Sequence, residues 1–540
     1  MKKVVVAVTA ILVLIFGYVL ISGSPAEEDR APEPAGFSIG MNLSSVTYYT
    51  RELPFVDIMK SSMPWVTQNV QDVPGGKNPW DSGHIRSVPL DADGYPLSLP
   101  VEIPGTEAPQ ITATLMCRAI EGRYPKGRYV CLYDGQGEIR FFFDAKAVSS
   151  SPGRIELDVT PTHAGILMKI VRSEKGDHIR NIRVIMPGFE DSYALEPFNP
   201  VFLERLKPFK VIRFMDWQRT NDSVVQQWAK RTKPSSYTQA DRGGVAIEHL
   251  VDLCNRIGAD PWFCIPHQAG PDYIRGFAAL VNGSLGQDRK VYIEYSNEVW
   301  NAMFGQYRWV EANGAPELSH ARKYASFALK AFDIWRDEFR NPKGRVIRVV
   351  SGQQVRPGIA EDAARHLGKG GFDVLASSGY FGIGAEGYKA LATLGARATA
   401  HDVVLSVYEN MRTHELPAME KHAKIASEYG VRYVTYEAGQ AICPFPLGSS
   451  PPYLKALWDA QKSPELYSIY REFIASCREM DLSLFMAFAY VSAQETKSGS
   501  WGHLEYLDQP TAEALKFRVL LDELDVEYLK AGSPKEPLSK

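Results

Sequence analysis

The sequence predicts a (β/α)8 barrel that carries an antiparallel β-sandwich inserted after its first strand and helix. Two observations lead to this fold class. From about residue 200 onward, apolar strand-like runs alternate with amphipathic helical patterns, as in parallel sheets covered by helices. Before that, between residues 73 and 190, short runs of alternating polarity are separated by Gly, Pro, Asp and Ser, which is typical of antiparallel sheets.

The N-terminus predicts export. Lys2 and Lys3 precede an unbroken apolar stretch whose length is about the ~20 residues that span a bilayer. The small-residue cleavage site after it is poor, so an uncleaved anchor is favoured over a cleaved signal. We expect a chain anchored in the membrane and facing outside the cytoplasm, or else secreted or periplasmic. The two segments are a signal peptide or membrane anchor over residues 1–22 and a linker over residues 23–36.

Three further segments complete the predicted organisation. The first βα unit of the barrel combines a strand-like "FSIGMNLSSVTYYT" with "ELPFVDIMKSSMPWV", which has a helical pattern. The inserted sandwich follows, and it either binds carbohydrate or only scaffolds one rim of the barrel. The boundaries are residues 37–72 for the first unit, 73–190 for the insertion and 191–530 for the rest of the barrel.

Eight strand candidates fit a closed barrel. One is "FSIGMN", and the other seven are "FKVIRFMDW", "ADPWFCIPH", "KVYIEYSNE", "GRVIRVVSGQ", "FDVLASSGYF", "VRYVTYEAG" and "LSLFMAFAYV". Helical patterns fall between them, and the clearest has one apolar face. That face comprises Tyr324, Phe327, Ala328, Ala331, Phe332, Trp335 and Phe339. An open doubly wound sheet is the alternative, but no GxGxxG or GxxxxGK[ST] motif follows any of the strands.

Composition and cysteine usage exclude several classes of function. With 60 Lys and Arg against 63 Asp and Glu, the net charge of -3 does not predict binding to nucleic acid. The six cysteines have no CxxC or Cys/His ligand spacing, so we expect no metal and no cofactor. Cys117 and Cys131 lie in neighbouring strand-like runs and are either a disulfide or two separate thiols. The Asp91 and Asp93 region resembles a tight turn more than a calcium loop.

The carboxyl ends of the predicted barrel strands are unusually polar. Barrel enzymes carry their catalytic groups at these ends, so the last residues of each strand are the candidates for a site. They are Asn42, Arg213, Asp216, His267, Asn297, Glu298, Gln353, Gln354, Tyr380, Glu437 and Gln440.

Two of these candidates, Glu298 and Glu437, follow the fourth and the seventh strand and therefore face each other across the barrel mouth. Cleavage of a glycosidic bond requires one carboxylic acid that protonates the leaving oxygen and one carboxylate that attacks the anomeric carbon. In so narrow a barrel we expect the two carboxyl groups to lie about 5 to 5.5 Å apart, the separation of retaining glycosidases.

The segment "IEYSNEVW" resembles the fourth-strand signature of glycoside hydrolase clan A, especially family 5 cellulases and mannanases, although Val299 replaces the usual Pro. "YEAG" is similar to the strand-seven nucleophile segment of the same clan. The resemblance implies that Glu298 is the general acid/base, Glu437 the nucleophile and Asn297 the partner of the sugar 2-hydroxyl. It also places Arg213, from "VIRF", beside the nucleophile.

His267, from "CIPH", matches the clan's strand-three position, and the resemblance implies that it contacts substrate. Tyr380 follows Ser378-Gly379 where family 5 members often have His-x-Tyr. The eighth strand, "FMAFAYV", lacks the usual terminal Trp. Tyr490 or Trp501 is the candidate for the missing sugar platform.

Some of these residues also fit purely structural roles. Glu294 is expected to be a buried acid paired with Arg213, and His267 is nearly as readily a structural histidine. No GxSxG or HExxH motif is present, so esterase and zinc protease chemistry lack their local signatures. The predicted partner is a polysaccharide or oligosaccharide, together with the membrane if the N-terminal segment is uncleaved. The rival prediction is a carbohydrate-binding or adhesion protein without turnover.

Overall fold

The computed structural model describes residues 36–72, 76–340 and 344–526. The strands in these residues are β1 (Ser38–Asn42), β2 (Val66–Asn69), β3 (Gln110–Met116), β4 (Gly127–Asp134), β5 (Gly137–Phe143), β6 (Ala145–Ser151), β7 (Arg154–Val159), β8 (Ile166–Ser173), β9 (Arg180–Ile185), β10 (Val211–Arg213), β11 (Asp260–Ile265), β12 (Val291–Tyr295), β13 (Val346–Gly352), β14 (Val374–Gly382), β15 (Arg432–Ala441) and β16 (Leu482–Ala487).

Eight of these strands form a closed parallel barrel in the order β1-β10-β11-β12-β13-β14-β15-β16. The strands follow one another around the barrel in chain order, and β16 closes it by pairing with β1, where Ile39 lies opposite Phe485. The prediction of a barrel is confirmed. The alternative of an open doubly wound sheet is wrong, because a closed ring has no edge strands.

Helices cover the outside of the barrel, as expected when parallel strands are apolar on both faces. They are α1 (Pro200–Leu206), α2 (Ile247–Ile257), α3 (Pro271–Ser284), α4 (Gly305–Asn313), α5 (His320–Phe339), α6 (Pro357–Leu367), α7 (Gly384–Leu394), α8 (Ala400–Asn410), α9 (Leu416–Tyr429), α10 (Leu454–Ala460), α11 (Pro464–Glu479) and α12 (Leu515–Glu523). Helix α5 contains the predicted apolar face, and its Trp335 and Phe332 are fully buried.

The barrel interior is filled with large side chains below the mouth. Trp262 and Tyr292 stack with ring centroids 5.3 Å apart. Gly40 leaves room for Met486, because a Cβ at this position would lie 2.2 Å from the Met486 sulfur. The interior is therefore a packed core, and only its carboxyl-terminal end is open to a substrate.

The connection from β1 to β10 contains two four-stranded antiparallel sheets. One has the order β2-β3-β8-β5 and the other the order β6-β7-β4-β9. Between β1 and β2 the described residues form only a 3-10 turn, and α1 comes after β9. The predicted order of strand, helix and insertion is therefore wrong.

The helix predicted in "ELPFVDIMKSSMPWV" does not form. This segment has only a 3-10 turn at Ile58–Ser61, and its last residue begins β2. Asp57 caps the turn and also accepts a hydrogen bond of 2.8 Å from the backbone N–H of Val184 in β9. The apolar residues that suggested a helix are thus buried in an irregular segment fixed to the antiparallel sheet.

Two local alternatives are settled by contacts. Cys117 and Cys131 are both free buried thiols, as are the other cysteines apart from the half-buried Cys443, all of which lie in the described residues. Asp91 makes a tight turn, because its Oδ1 accepts the backbone N–H groups of Asp93 and Tyr95, each at 2.9 Å.

The predicted export segment, residues 1–22, lies outside the described residues, as does nearly all of the predicted linker. Among the residues that the structure does describe, none of the helices has the length and apolar character to span a bilayer.

Candidate active site

Arg213, at the end of β10, lies at the centre of a fully buried polar cluster. Its Nη1 donates to Glu437 Oε1 at 2.9 Å and to Asn42 Oδ1 at 3.2 Å. Its Nη2 donates to Glu294 Oε2 at 2.9 Å and to Asn297 Oδ1 at 2.8 Å, and its Nε also reaches Glu294. The guanidinium therefore joins residues from four strand ends in one network.

Glu294 is the buried acid that the sequence predicts, and its pairing with Arg213 is confirmed. Its Oε2 also accepts a hydrogen bond of 3.0 Å from the indole N–H of Trp262. Burial acts to lower the pKa of Arg213, but Cys264, Glu294 and Glu437 outweigh it and hold that pKa well above the ordinary value. A charged guanidinium is thus permanently available beneath the barrel mouth.

Glu437, in the middle of β15, is held by two donors. Arg213 binds its Oε1, and the hydroxyl of Tyr380 on β14 donates to its Oε2 at 2.9 Å. Burial outweighs both donors and raises the pKa of Glu437, while Arg213 and Tyr380 act to lower it. Both donors favour the ionised carboxylate, the form that a nucleophile requires.

A β-bulge explains how Glu437 reaches Arg213. The pairing of β14 with β15 shifts so that Thr435 lies opposite Ser377 but Glu437 lies opposite Ser378, which leaves Tyr436 as the extra residue. A bulge interrupts the strict alternation of side chains along a strand. Tyr436 and Glu437 consequently both contact groups inside the barrel mouth.

Glu298 follows β12 in a backbone of unusual conformation. Ser296 and Glu298 have φ angles of 59° and 40°, in the left-handed region that non-glycine residues rarely occupy. Such conformations cost of the order of 1–3 kcal/mol each and concentrate at functional sites. Here they turn the half-buried Glu298 towards β15, where the Tyr436 hydroxyl donates to its Oε1 at 3.1 Å.

The environment of Glu298 favours its protonated form. Burial and the nearby charge of Glu437 raise the pKa of Glu298 to about 7, against opposing hydrogen bonds from Asn301 and Tyr436. Of these two glutamates, only Glu437 is bound directly by Arg213. That contact favours loss of the proton from Glu437 before Glu298.

Asn297 is fixed from both sides. Its Oδ1 accepts from Arg213, and its Nδ2 donates to Asn221 Oδ1 at 3.0 Å. Gln306 donates to Asn221 Oδ1 at 2.7 Å and to the Asn297 carbonyl at 2.8 Å. The amide is thus preorganised beside the two glutamates.

His267 is buried at the end of β11 and packs edge-on against Trp309, with ring centroids 5.9 Å apart. Burial lowers its pKa to about 4, so the ring is neutral at physiological pH. Its Nδ1 has no hydrogen-bond partner among the described residues. A neutral imidazole with an unused nitrogen retains the capacity to bind a hydroxyl group.

Trp501, the predicted sugar platform, packs in an aromatic cluster with Tyr380 and with Phe488, which the sequence did not indicate. Trp501 contacts Tyr380 and Phe488, with ring centroids 5.5 Å and 6.0 Å away. Phe488, the first residue after β16, is half-buried. Tyr490 is fully buried against Phe202, so its proposed role as a platform is wrong. Phe488 was overlooked because "FMAFAYV" gives no sign of where the strand ends.

The remaining strand-end residues have supporting contacts. Gln354 accepts the Tyr380 backbone N–H at 3.0 Å, and Gln440 donates to the Ser500 carbonyl at 2.8 Å. Burial and the charge of Glu437 raise the pKa of Asp216 to about 6. The sequence did not indicate Tyr436 or Asn221 as site residues. A bulge determines the position of Tyr436, and a long loop determines that of Asn221.

Fold and site together define a (β/α)8 barrel with paired glutamates at its carboxyl-terminal mouth. No protein-family model and no curated protein matches the chain. The matching solved structures described here are glycoside hydrolases. The GH51 arabinofuranosidase from Xanthomonas axonopodis pv. citri is 16% identical over 56% of this chain and 62% of its own, with a TM-score of 0.35.

A Cellulomonas fimi endo-beta-1,4-mannanase double mutant is 14% identical, with 54% of this chain and 61% of its own covered and a TM-score of 0.32. A Bacteroides ovatus GH5 xyloglucanase in complex with a heptasaccharide is 11% identical, with 77% and 96% covered and a TM-score of 0.34. The match spans less than two thirds of the arabinofuranosidase and of the mannanase. These likenesses concern the fold alone.

Proposed function

We propose that this protein is a retaining glycoside hydrolase that cleaves β-glycosidic bonds in a polysaccharide or oligosaccharide. The observation that carries the proposal is the contrast between the two glutamates. Glu298 has a pKa of about 7, whereas Glu437 is bound by Arg213 and Tyr380. One acid and one carboxylate at a single barrel mouth are what glycosidic cleavage requires.

In the proposed mechanism, the Glu437 carboxylate attacks the anomeric carbon while Glu298 donates its proton to the departing glycosidic oxygen. Glu298, now ionised, then takes a proton from the water that releases the sugar from Glu437. This double displacement requires the two carboxyl groups to lie about 5 to 5.5 Å apart. Asn297 would bind the sugar 2-hydroxyl, where a hydrogen bond strengthens in the transition state.

Several further features support a sugar substrate. Tyr380, Phe488 and Trp501 form an aromatic cluster at the mouth, and aromatic faces suit the apolar faces of sugar rings. We assign His267, after the end of β11 beside Trp309, to contact with the substrate. The chemistry of this mechanism is complete with carboxyl groups and water, so the proposal includes no metal and no cofactor.

We also propose that the two inserted sheets pack face to face as a sandwich. Buried side chains from both, such as Met168 in β8 and Leu157 in β7, belong to one continuous apolar core. The sandwich would then begin at Val66. Export, with an anchor over residues 1–22, remains our proposal for localisation on the pattern of Lys2, Lys3 and the apolar run.

The test is hydrolysis of aryl β-glycosides and a polysaccharide panel by the full-length protein, beside Glu298→Gln and Glu437→Gln. We expect the unmutated protein to cleave at least one substrate and each variant to lose about 10²–10⁴-fold in kcat. Binding of carbohydrate without turnover by the unmutated protein would favour the rival, a carbohydrate-binding or adhesion protein. If the unmutated protein neither binds nor cleaves carbohydrate, the result would favour a scaffold without affinity for sugars.

A second experiment assigns the nucleophile. In Glu437→Ala, azide should restore cleavage and give a glycosyl azide of inverted configuration, because the anion occupies the space left by the carboxylate. An inverted glycosyl azide from Glu298→Ala, with the retained one from Glu437→Ala, would reverse the two roles.

A further inference from the structure

Two adjoining cavities lie outside the cluster around Arg213, along the loop that follows β10. The first, of about 520 Å³, is lined by Pro64, Arg219, Asn221, Asp222, Val224, Ala240, Asp241 and Arg242. The second, of about 490 Å³, shares Val224, Asp241 and Arg242 with the first. Because they share walls, we treat them as one feature and name it the distal cleft.

The distal cleft adjoins the candidate active site. Asn221, which lines the first cavity, accepts hydrogen bonds from Asn297 and Gln306 through its Oδ1. Asn297 in turn binds Arg213. Asn221 therefore belongs both to the wall of the cleft and to the hydrogen-bonded network of the site.

The far wall of the cleft comes from the insertion. The turn at Asp93 and Gly94 lines the second cavity together with Tyr237 of the loop. Tyr237 stacks on Trp65, with ring centroids 5.0 Å apart, and the Trp65 indole N–H donates to the Gly94 carbonyl at 3.0 Å. Insertion and barrel loop are thus joined at this wall by direct contacts.

Gly94 permits this contact. Its φ is +88°, and a Cβ would lie 2.6 Å from Tyr237 Cδ1. Any other residue would therefore strain the turn and displace the Tyr237 ring. The wall depends on a close approach that only glycine allows.

The polar groups of the cleft match hydroxyl groups better than a charged ligand. Its lining carries charges of both signs, with Arg219, Asp222, Asp241 and Arg242 all in the first cavity. Arg242 is exposed, and its guanidinium has no hydrogen-bond partner among the described residues. A mixture of donors and acceptors suits the hydroxyl groups of neutral sugars.

We propose that the distal cleft binds the continuation of a neutral, hydroxyl-rich polysaccharide whose scissile bond lies between Glu298 and Glu437. The assignment rests on the proposed function. The assignment adds that the substrate is a chain of several sugars and that the insertion forms part of the surface that binds it.

The test compares a short and a long substrate in the full-length protein. Val224 is 51% exposed and lines both cavities, so Val224→Trp fills the cleft without touching the cluster around Arg213. Leu405→Trp is the matched control, because Leu405 is 47% exposed on helix α8. Arg242→Ala is the second variant, since it removes a donor without adding bulk.

We expect Val224→Trp and Arg242→Ala to lower kcat/KM by about tenfold on the longest cleaved oligosaccharide and by less than about twofold on an aryl β-glycoside, with Leu405→Trp unchanged on both. Equal losses of kcat/KM on the two substrates, or no loss on either, would show that the distal cleft does not bind the substrate.

Failure of the proposed function is recognised separately, because the unmutated protein would then cleave nothing. In that case the cleft is tested by retardation of the same variants on gels containing each neutral polysaccharide. Weaker retardation of Val224→Trp and Arg242→Ala supports the cleft. Equal retardation of all variants, or none for the unmutated protein, overturns it.

Discussion

At the scale of the residue, Arg213 decides in the proposed mechanism which glutamate is the acid and which is the nucleophile. It is buried and makes charge-assisted bonds to Glu294 and Glu437. Both carboxylates lie 2.9 Å from its guanidinium, Glu294 through Nη2 and Glu437 through Nη1. Glu298 receives only hydrogen bonds from Tyr436 and Asn301, so it keeps its proton to a higher pH.

Activity should accordingly fall as the pH rises through about 7, where Glu298 loses its proton. The hydrogen bond from Tyr436 lowers the pKa of Glu298, so Tyr436→Phe should move the alkaline limb of the kcat/KM profile to higher pH. Tyr408→Phe, on the outer helix α8, serves as the control. An unmoved limb, or one displaced to lower pH, would contradict this assignment.

Single residues were the most predictable part of the site. Glu294, Asn297, Glu298 and Glu437 were all found from polar side chains at the ends of apolar strands. Tyr436 was not predicted, because it contacts Glu298 only as a result of a bulge that has no recognisable sequence pattern.

At the scale of the element, the segment after β16 positions Trp501. Lys516 on α12 is buried and donates through Nζ to the Ser500 carbonyl at 2.6 Å and to Gln461 Oε1 at 2.9 Å. Gln440 donates to the same carbonyl. Two donors thus fix the backbone immediately before Trp501.

This anchor makes stability depend on pH. Burial lowers the pKa of Lys516 to about 7, against the opposing charge of Glu505. Between that value and its ordinary pKa, the unfolded chain binds more protons than the folded one, so this residue makes the free energy of unfolding rise with pH. Urea titrations from about pH 7 to 10 should show a smaller rise in Lys516→Met than in the unmutated protein. Identical slopes would show that Lys516 is already charged in the fold.

Elements were predicted well where periodicity was regular. All eight barrel strands and α5 follow from apolar runs and a helical repeat. The helix predicted for residues 52–66 was wrong because the apolar residues of this segment pack irregularly. They lie between Asp57, which is bound to β9, and the start of β2. Their spacing mimics a helix by coincidence.

At the scale of the whole molecule, the insertion lies directly against the loop after β10. The sequence indicates an insertion but not where it meets the barrel, because that depends on contacts between segments more than a hundred residues apart. The contact of Gly94 with Tyr237 is one example.

Gly94→Ala should weaken this contact and lower the thermal midpoint more than Gly83→Ala. Both glycines have positive φ, at +88° and +79°, but a Cβ at Gly83 meets nothing within 4 Å. Gly83→Ala, the control, should therefore lose only the stability that backbone strain costs, about 1 kcal/mol. Gly94→Ala adds the clash with Tyr237. Equal midpoints measured by scanning calorimetry would mean that the Tyr237 ring moves aside freely.

The central claim is that Glu298 and Glu437 act on one glycosidic bond by double displacement. The most direct measurement is the anomeric configuration of the first product, followed by proton NMR during cleavage of a β-linked substrate. The account predicts that the β anomer appears first and mutarotates later. Initial release of the α anomer would mean inversion, with the two carboxyl groups about 6.5–9.5 Å apart and a water between them, and would contradict it.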